Sequence, residues 1–127
     1  MTTYTPLLKL ALPVSGTLDG TWGDTVNDNI TSMVDEAVAG LATINTWSTN
    51  SHTLTTADGT TSESRAAILK FTDTGAALTG NATVVCPASS KLYVADNSVG
   101  NSYTVTLKTS SGTGIAVPDG TAMLLYC

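Results

Sequence analysis

The sequence predicts a mainly β protein: an extended N-terminal arm, one oligomerising α-helix, then a small antiparallel β-sandwich or jelly-roll-like domain. Three observations carry that expectation. Threonine (24) and serine (12) make up more than a quarter of the 127 residues, beside 11 glycines, a bias toward strands and turns. Apolar residues recur at steps of three and four in one segment only, Trp22 to Ile44. From residue 52 onward the apolar period falls to two.

The arm covers residues 1–21. Pro6, Pro13, Gly16 and Gly20 interrupt any regular element there, and proline holds the residue before it extended. Tyr4, Leu7, Leu8, Leu10, Leu12 and Val14 need a surface to lie against. The run over residues 7–14 carries Lys9 and has no basic stretch before it, unlike a secretory signal.

Residues 22–45 are expected to form the helix. Thr21 followed by Asp24 has the spacing of a capping box. Trp22, Val26, Ile30, Met33, Ala37, Leu41 and Ile44 form an apolar stripe, widened on one flank by Val34 and Val38. Gly40 either ends the helix or permits close packing within it. Such a stripe fits a short coiled-coil-like bundle. Val26, Ile30, Met33, Ala37, Leu41 and Ile44 are therefore the expected oligomer interface; the competing arrangement lays the helix on its own sheet.

Residues 52–127 are the expected β domain. Candidate strands are 52–56, 65–71, 82–86, 91–95, 102–108, 114–117 and 121–126. Segments 91–95 and 102–108 are expected to pair as a hairpin, and Pro118-Asp119-Gly120 to turn a second hairpin between 114–117 and 121–126. A core of roughly 75 residues is marginal alone, which again favours association.

Charge and chemistry exclude several function classes. Charged residues are 12% of the chain and net charge is −5, so the basic footprint of a nucleic-acid binder is absent. Mean hydropathy of +0.17 is too high for a disordered chain, and no apolar run reaches the ~18 residues of a membrane span. Residues 1–50 hold Asp19, Asp24, Asp28, Asp35 and Glu36 against Lys9 alone. That asymmetry can steer docking onto a basic surface, or simply solvate one helix face. His52 is the sole histidine, expected on a surface or strand edge, and no pattern of nucleophile, metal ligand or cofactor cradle accompanies it. Cys86 and Cys127 lack metal or redox spacing and are expected as buried thiols; a bridge between them needs geometry that spacing does not supply. Trp47, Tyr93, Tyr103 and Tyr126 are either core residues or a sugar-stacking face.

The segment Leu12–Ile30 contains Gly16-x-x-x-Gly20-x-Trp22-Gly23-Asp24-x-Val26-Asn27. It resembles the N-terminal region of tail-fibre and related virion proteins of tailed bacteriophages. That resemblance implies a non-enzymatic structural protein of the virion, trimeric, whose N-terminal part docks on another tail protein such as an adaptor or nozzle. On this chain the docking residues would be Tyr4, Leu7, Leu8, Leu10, Leu12, Val14 and Trp22, with Trp22 as an aromatic anchor. Fibres of the family continue into a shaft and a receptor-binding tip that these residues do not include, so attachment is the expected role. The alternative is a lectin-like module binding host surface polysaccharide. A polysaccharide-degrading enzyme is disfavoured, because no acid pair on an aromatic-lined face is evident.

Overall fold

The computed structural model describes residues 3–14, 16 and 19–127; Met1, Thr2 and the motif positions Thr17 and Leu18, with Ser15, lie outside them. The described residues are mainly β, with ten strands and a single helix of 18 residues. Strands β1 (Thr3–Tyr4) and β2 (Ala11–Leu12) pair antiparallel. The helix follows as three joined parts, Trp22–Val26, a π-helical turn Asn27–Thr31, and Ser32–Ala39. Then come β3 (Leu41–Ile44), β4 (Ser51–Thr53), a 3-10 turn Glu63–Arg65, β5 (Ile68–Thr72) and β6 (Ala82–Val85). The last four strands are β7 (Leu92–Ser98), β8 (Val105–Lys108), β9 (Ile115–Val117) and β10 (Ala122–Tyr126).

The helix ends six residues before the expected boundary at 45, and Leu41 and Ile44 belong to a strand. Gly40 settles the alternatives: its backbone is extended, its N–H donates to the Glu36 carbonyl at 2.8 Å, and a Cβ there would run into that same carbonyl. The Gly40 carbonyl accepts from the N–H groups of Ala67 and Ile68, 3.0 Å each, which draws the next four residues into the sheet. A step of three puts Leu41 and Ile44 on one face of a helix but on opposite faces of a strand, and it is the strand that forms, with Ile44 in the core and Leu41 outside. The capping box also fails: Thr21 makes no side-chain cap, and its carbonyl instead accepts from Thr25 N–H at 3.1 Å. The π turn, where Ser32 Oγ donates to the Asn27 carbonyl at 2.7 Å, breaks the phase of the stripe.

Eight strands form two four-stranded sheets, ordered β10-β7-β5-β3 and β4-β6-β8-β9. They share one core, in which Ile44, Leu69, Phe71, Tyr93 and Ala95 of the first meet Val84, Val105, Leu107 and Val117 of the second. The expected antiparallel pairing holds only at β10-β7 and β8-β9; β3-β5, β5-β7, β4-β6 and β6-β8 are parallel. The chain steps from one sheet to the other after β3, β4, β5, β6, β7 and β9, so each strand except β9 lies beside the one laid down on the previous pass. Parallel neighbours normally require a helical crossover; here the opposite sheet serves as the crossover. Both expected hairpins are therefore incorrect, since β7 and β8, like β9 and β10, lie in different sheets.

Asn97 explains why the turns do not make hairpins. Its side chain is fully buried, and its Nδ2 donates to the carbonyls of Tyr103 (3.0 Å) and Val117 (2.8 Å), while its Oδ1 accepts from Val99 N–H (3.1 Å). Asp119 in the second turn accepts from Gly100 and Ser102 N–H. These bonds tie both turns together across the gap between the sheets. Trp47 closes the core near β4, donating from Nε1 to the Thr72 carbonyl at 2.8 Å and meeting Phe71 edge-on.

Cys86 and Cys127 are joined, contrary to the expected free thiols. The bridge spans a Cα separation of 6.6 Å and a sequence separation of 41, linking the end of β6 to the end of β10 in the opposite sheet. Only the winding of the chain brings them together. Replacing both cysteines by serine should lower the unfolding free energy by about 2–4 kcal/mol, read as a lower urea midpoint.

Candidate functional site

Residues 3–12 of the expected docking arm are part of the folded body. The arm's two strands close on Thr5, whose N–H donates to the Leu10 carbonyl (2.8 Å) and whose Oγ1 accepts from Leu10 N–H (2.9 Å). The Lys9 carbonyl accepts from Gly59 N–H at 3.0 Å. A Cβ at Gly59, where φ is +66°, would press on Asn29 and the Tyr4 ring at 2.7 and 2.8 Å. Only glycine fits where arm, helix and loop meet.

Arg65 holds this corner. It is 2% exposed, so its charge needs acceptors from every side. Nε donates to the Leu8 carbonyl (2.6 Å) and one terminal nitrogen to the Ala57 carbonyl (2.7 Å). The other donates to the Thr60 carbonyl and to Glu36 (3.3 Å), and lies 2.9 Å from the Met33 sulfur. Glu36 also accepts from Ser62 N–H at 3.2 Å. The acid expected on a solvated helix face is thus a buried cation's partner.

Tyr93 on β7 and Lys91 just before it hold the backbone around Arg65. Tyr93 donates its hydroxyl to the Ser64 carbonyl at 2.5 Å, and burial pushes its phenol up to about 12. Lys91 Nζ donates to the Ala66 carbonyl at 2.9 Å and lies 4.4 Å from the centre of the Tyr93 ring. Burial lowers the Lys91 pKa, and the charge of Glu36 partly offsets this.

The expected oligomer residues divide. Met33 is buried against Arg65, and Val26, Ile30 and Ala37 are half-buried. Ile44 is in the core at 1% exposure and is closed to any partner, a correction to its expected role. Leu41 is exposed, on β3; Val34 and Val38, expected to widen the packed stripe, face outward. Of the expected docking residues, Tyr4, Leu8 and Leu10 are half-buried, while Leu7, Leu12, Val14 and Trp22 are exposed, Trp22 at 65%.

Other polar groups have structural partners. His52 lies on the edge strand β4, as a strand-edge histidine, with Nε2 2.8 Å from Glu63 Oε1 and its ring edge-on to Trp47. Among the described residues no group of three His, Cys, Asp or Glu side chains gathers around a metal position. No described helix is long and apolar enough to cross a membrane. Of the aromatic candidates, Trp47 and Tyr93 are core residues, and Tyr126 is exposed beside a hollow of about 300 Å³ lined by Lys108, Thr109, Ile115 and Leu125. The chain matches no protein-family model, no curated protein and no solved structure.

Sequence reasoning missed Arg65, which it placed within a strand. The available signal was a lone arginine beside Ala66-Ala67-Ile68-Leu69 in a chain with five basic residues. Arg65→Met should cost about 3–5 kcal/mol by stranding Glu36 and the carbonyls around it, and Arg65→Lys should recover less than half, since it keeps the charge without the fork; urea unfolding of both variants checks this. Because the folded Tyr93 phenol titrates above its ordinary 10.0, its contribution is complete below pH 10 and disappears as pH rises through about 12. Urea midpoints across that window should fall less in Tyr93→Phe than in the parent protein.

Proposed function

We propose that this chain is a non-enzymatic structural protein of a phage virion, the tail-attachment part of a tail fibre. One observation carries the reading: the tryptophan of the Gly16–Asn27 motif stands on the first helical turn with 65% of its surface exposed. An indole so placed is a ready anchor for another protein.

The clamped hairpin supports the same reading. Leu8 and Lys9 are bonded through their backbones to Arg65 and Gly59, so exposed Leu7 and Leu12 stand on a fixed support. A surface ordered beforehand loses less entropy on docking. The disulfide fits a protein displayed on a particle outside the reducing cytosol. The net charge of −5 suits a basic docking partner among the tail proteins.

A second reading, recognition of host polysaccharide, is favoured by one feature, the exposed Tyr126 ring beside its hollow. Aromatic faces of this kind stack on sugar rings. Saturable glycan binding lost in Tyr126→Ala would select it.

The attachment reading is tested by location. Antibody raised against the chain should decorate the tails of purified particles, and Trp22→Ala should reduce incorporation about tenfold, an anchor's worth of binding energy. Particles that carry no label, or full incorporation of the variant, would refute it.

A further inference from the structure

The two sheets expose very different outer faces. On the β4-β6-β8-β9 sheet, Ser51, Thr83, Thr106 and Ala116 stand in one row across all four strands. That is the ordinary solution for a wetted sheet, apolar inward and polar outward. On the β10-β7-β5-β3 sheet the equivalent row is Leu41, Ile68, Val94 and Leu124, in register across all four strands. Leu92 and Tyr126, also paired to each other, extend it. Leu124 is 68% and Tyr126 74% exposed.

We infer that this face is a contact between copies of the chain, the occupant being the same face of a second copy. Area is the first reason. The six side chains present roughly 600 Å² of apolar surface, near the ~800 Å² each partner gives to a stable interface and at the top of what a monomer leaves exposed. Charge is the second. The next row contains Lys70 and Asp96 directly opposite each other, one charge of each sign at the apolar border. A face that meets itself across a two-fold must be self-complementary, and this rim lets Lys70 of each copy meet Asp96 of the other. A chain carrying −5 thereby joins its copy through a zone with no net charge. The contact does not depend on the virion reading, and its two-fold pair stands in place of the trimer that the tail-fibre resemblance implies.

The test uses the whole oxidised chain in sedimentation equilibrium. The parent protein should run at twice 13.0 kDa, and Leu124→Glu or Val94→Lys should weaken self-association at least about a hundredfold while far-UV dichroism and urea midpoint stay near the parent's. Thr106→Glu on the opposite sheet should leave it unchanged. Lys70→Asp should weaken it, and Lys70→Asp with Asp96→Lys should restore it. A parent monomer at 100 µM, a trimer, or a dimer untouched by Leu124→Glu would overturn the inference. Failure here leaves tail decoration to be judged separately, because that is read on particles.

Discussion

The buried guanidinium of Arg65 is the constraint on which the N-terminal third depends. Removing a cation from water costs several kcal/mol unless oxygen atoms surround it. The chain supplies them from three places distant in sequence: Leu8 in the hairpin, Ala57 and Thr60 in one loop, and Glu36 on the helix. Each group gains a charge-assisted bond only if all three segments arrive together. The hairpin, helix and loop therefore form a single unit. That unit is fixed in turn to the β body, because Tyr93 and Lys91 hold the carbonyls of Ser64 and Ala66 on either side.

Alternation along the chain was legible, and neighbours across the sheets were not. Every strand from β4 to β10 overlaps a segment that period-two patterning marks; β5 to β8 bury alternate residues in the shared core, and β10 packs Met123 and Leu125 against it. Pairing depends on what lies beside a strand, and here most neighbours come from the previous pass around the core. A turn such as Pro118-Asp119-Gly120 looks the same whether it joins hairpin strands or crosses between sheets. The buried Asn97 amide decides between them, through carbonyls that no pattern of side chains records. The disulfide was hidden for the same reason.

The helix shows how partial burial divides an apolar stripe. Met33 faces Arg65 and is buried, whereas Trp22, Val34 and Val38 remain exposed. A stripe read as one seam is thus two surfaces, one covered by the chain's own body and one open. The π-helical turn between Asn27 and Thr31 shifts the phase between Val26 and Met33, while Val34 and Val38, in the same segment as Met33, lie on the flank turned away from Arg65. The candidate docking site was legible only as far as its apolar residues; which of them point outward is set by the Arg65 corner.

Charged side chains are only 12% of this protein, so hydroxyls take over much of the task of keeping sheet surfaces wet. The edges are guarded differently. Three of the four edges, β3, β4 and β9, are strands of four, three and three residues, and short edge strands offer little ladder for another chain to extend; the fourth edge, β10, has five. Edge-to-edge growth is therefore discouraged at three of the four edges, and the face of one sheet is hydroxylated. The Leu41–Leu124 row has neither protection. A molecule that keeps most of its sheet edges short and one sheet face hydroxylated, yet aligns four aliphatic side chains across the four strands of the other, leaves that face suited to the inferred contact with a second copy, where packing is closed by geometry and does not propagate along a strand.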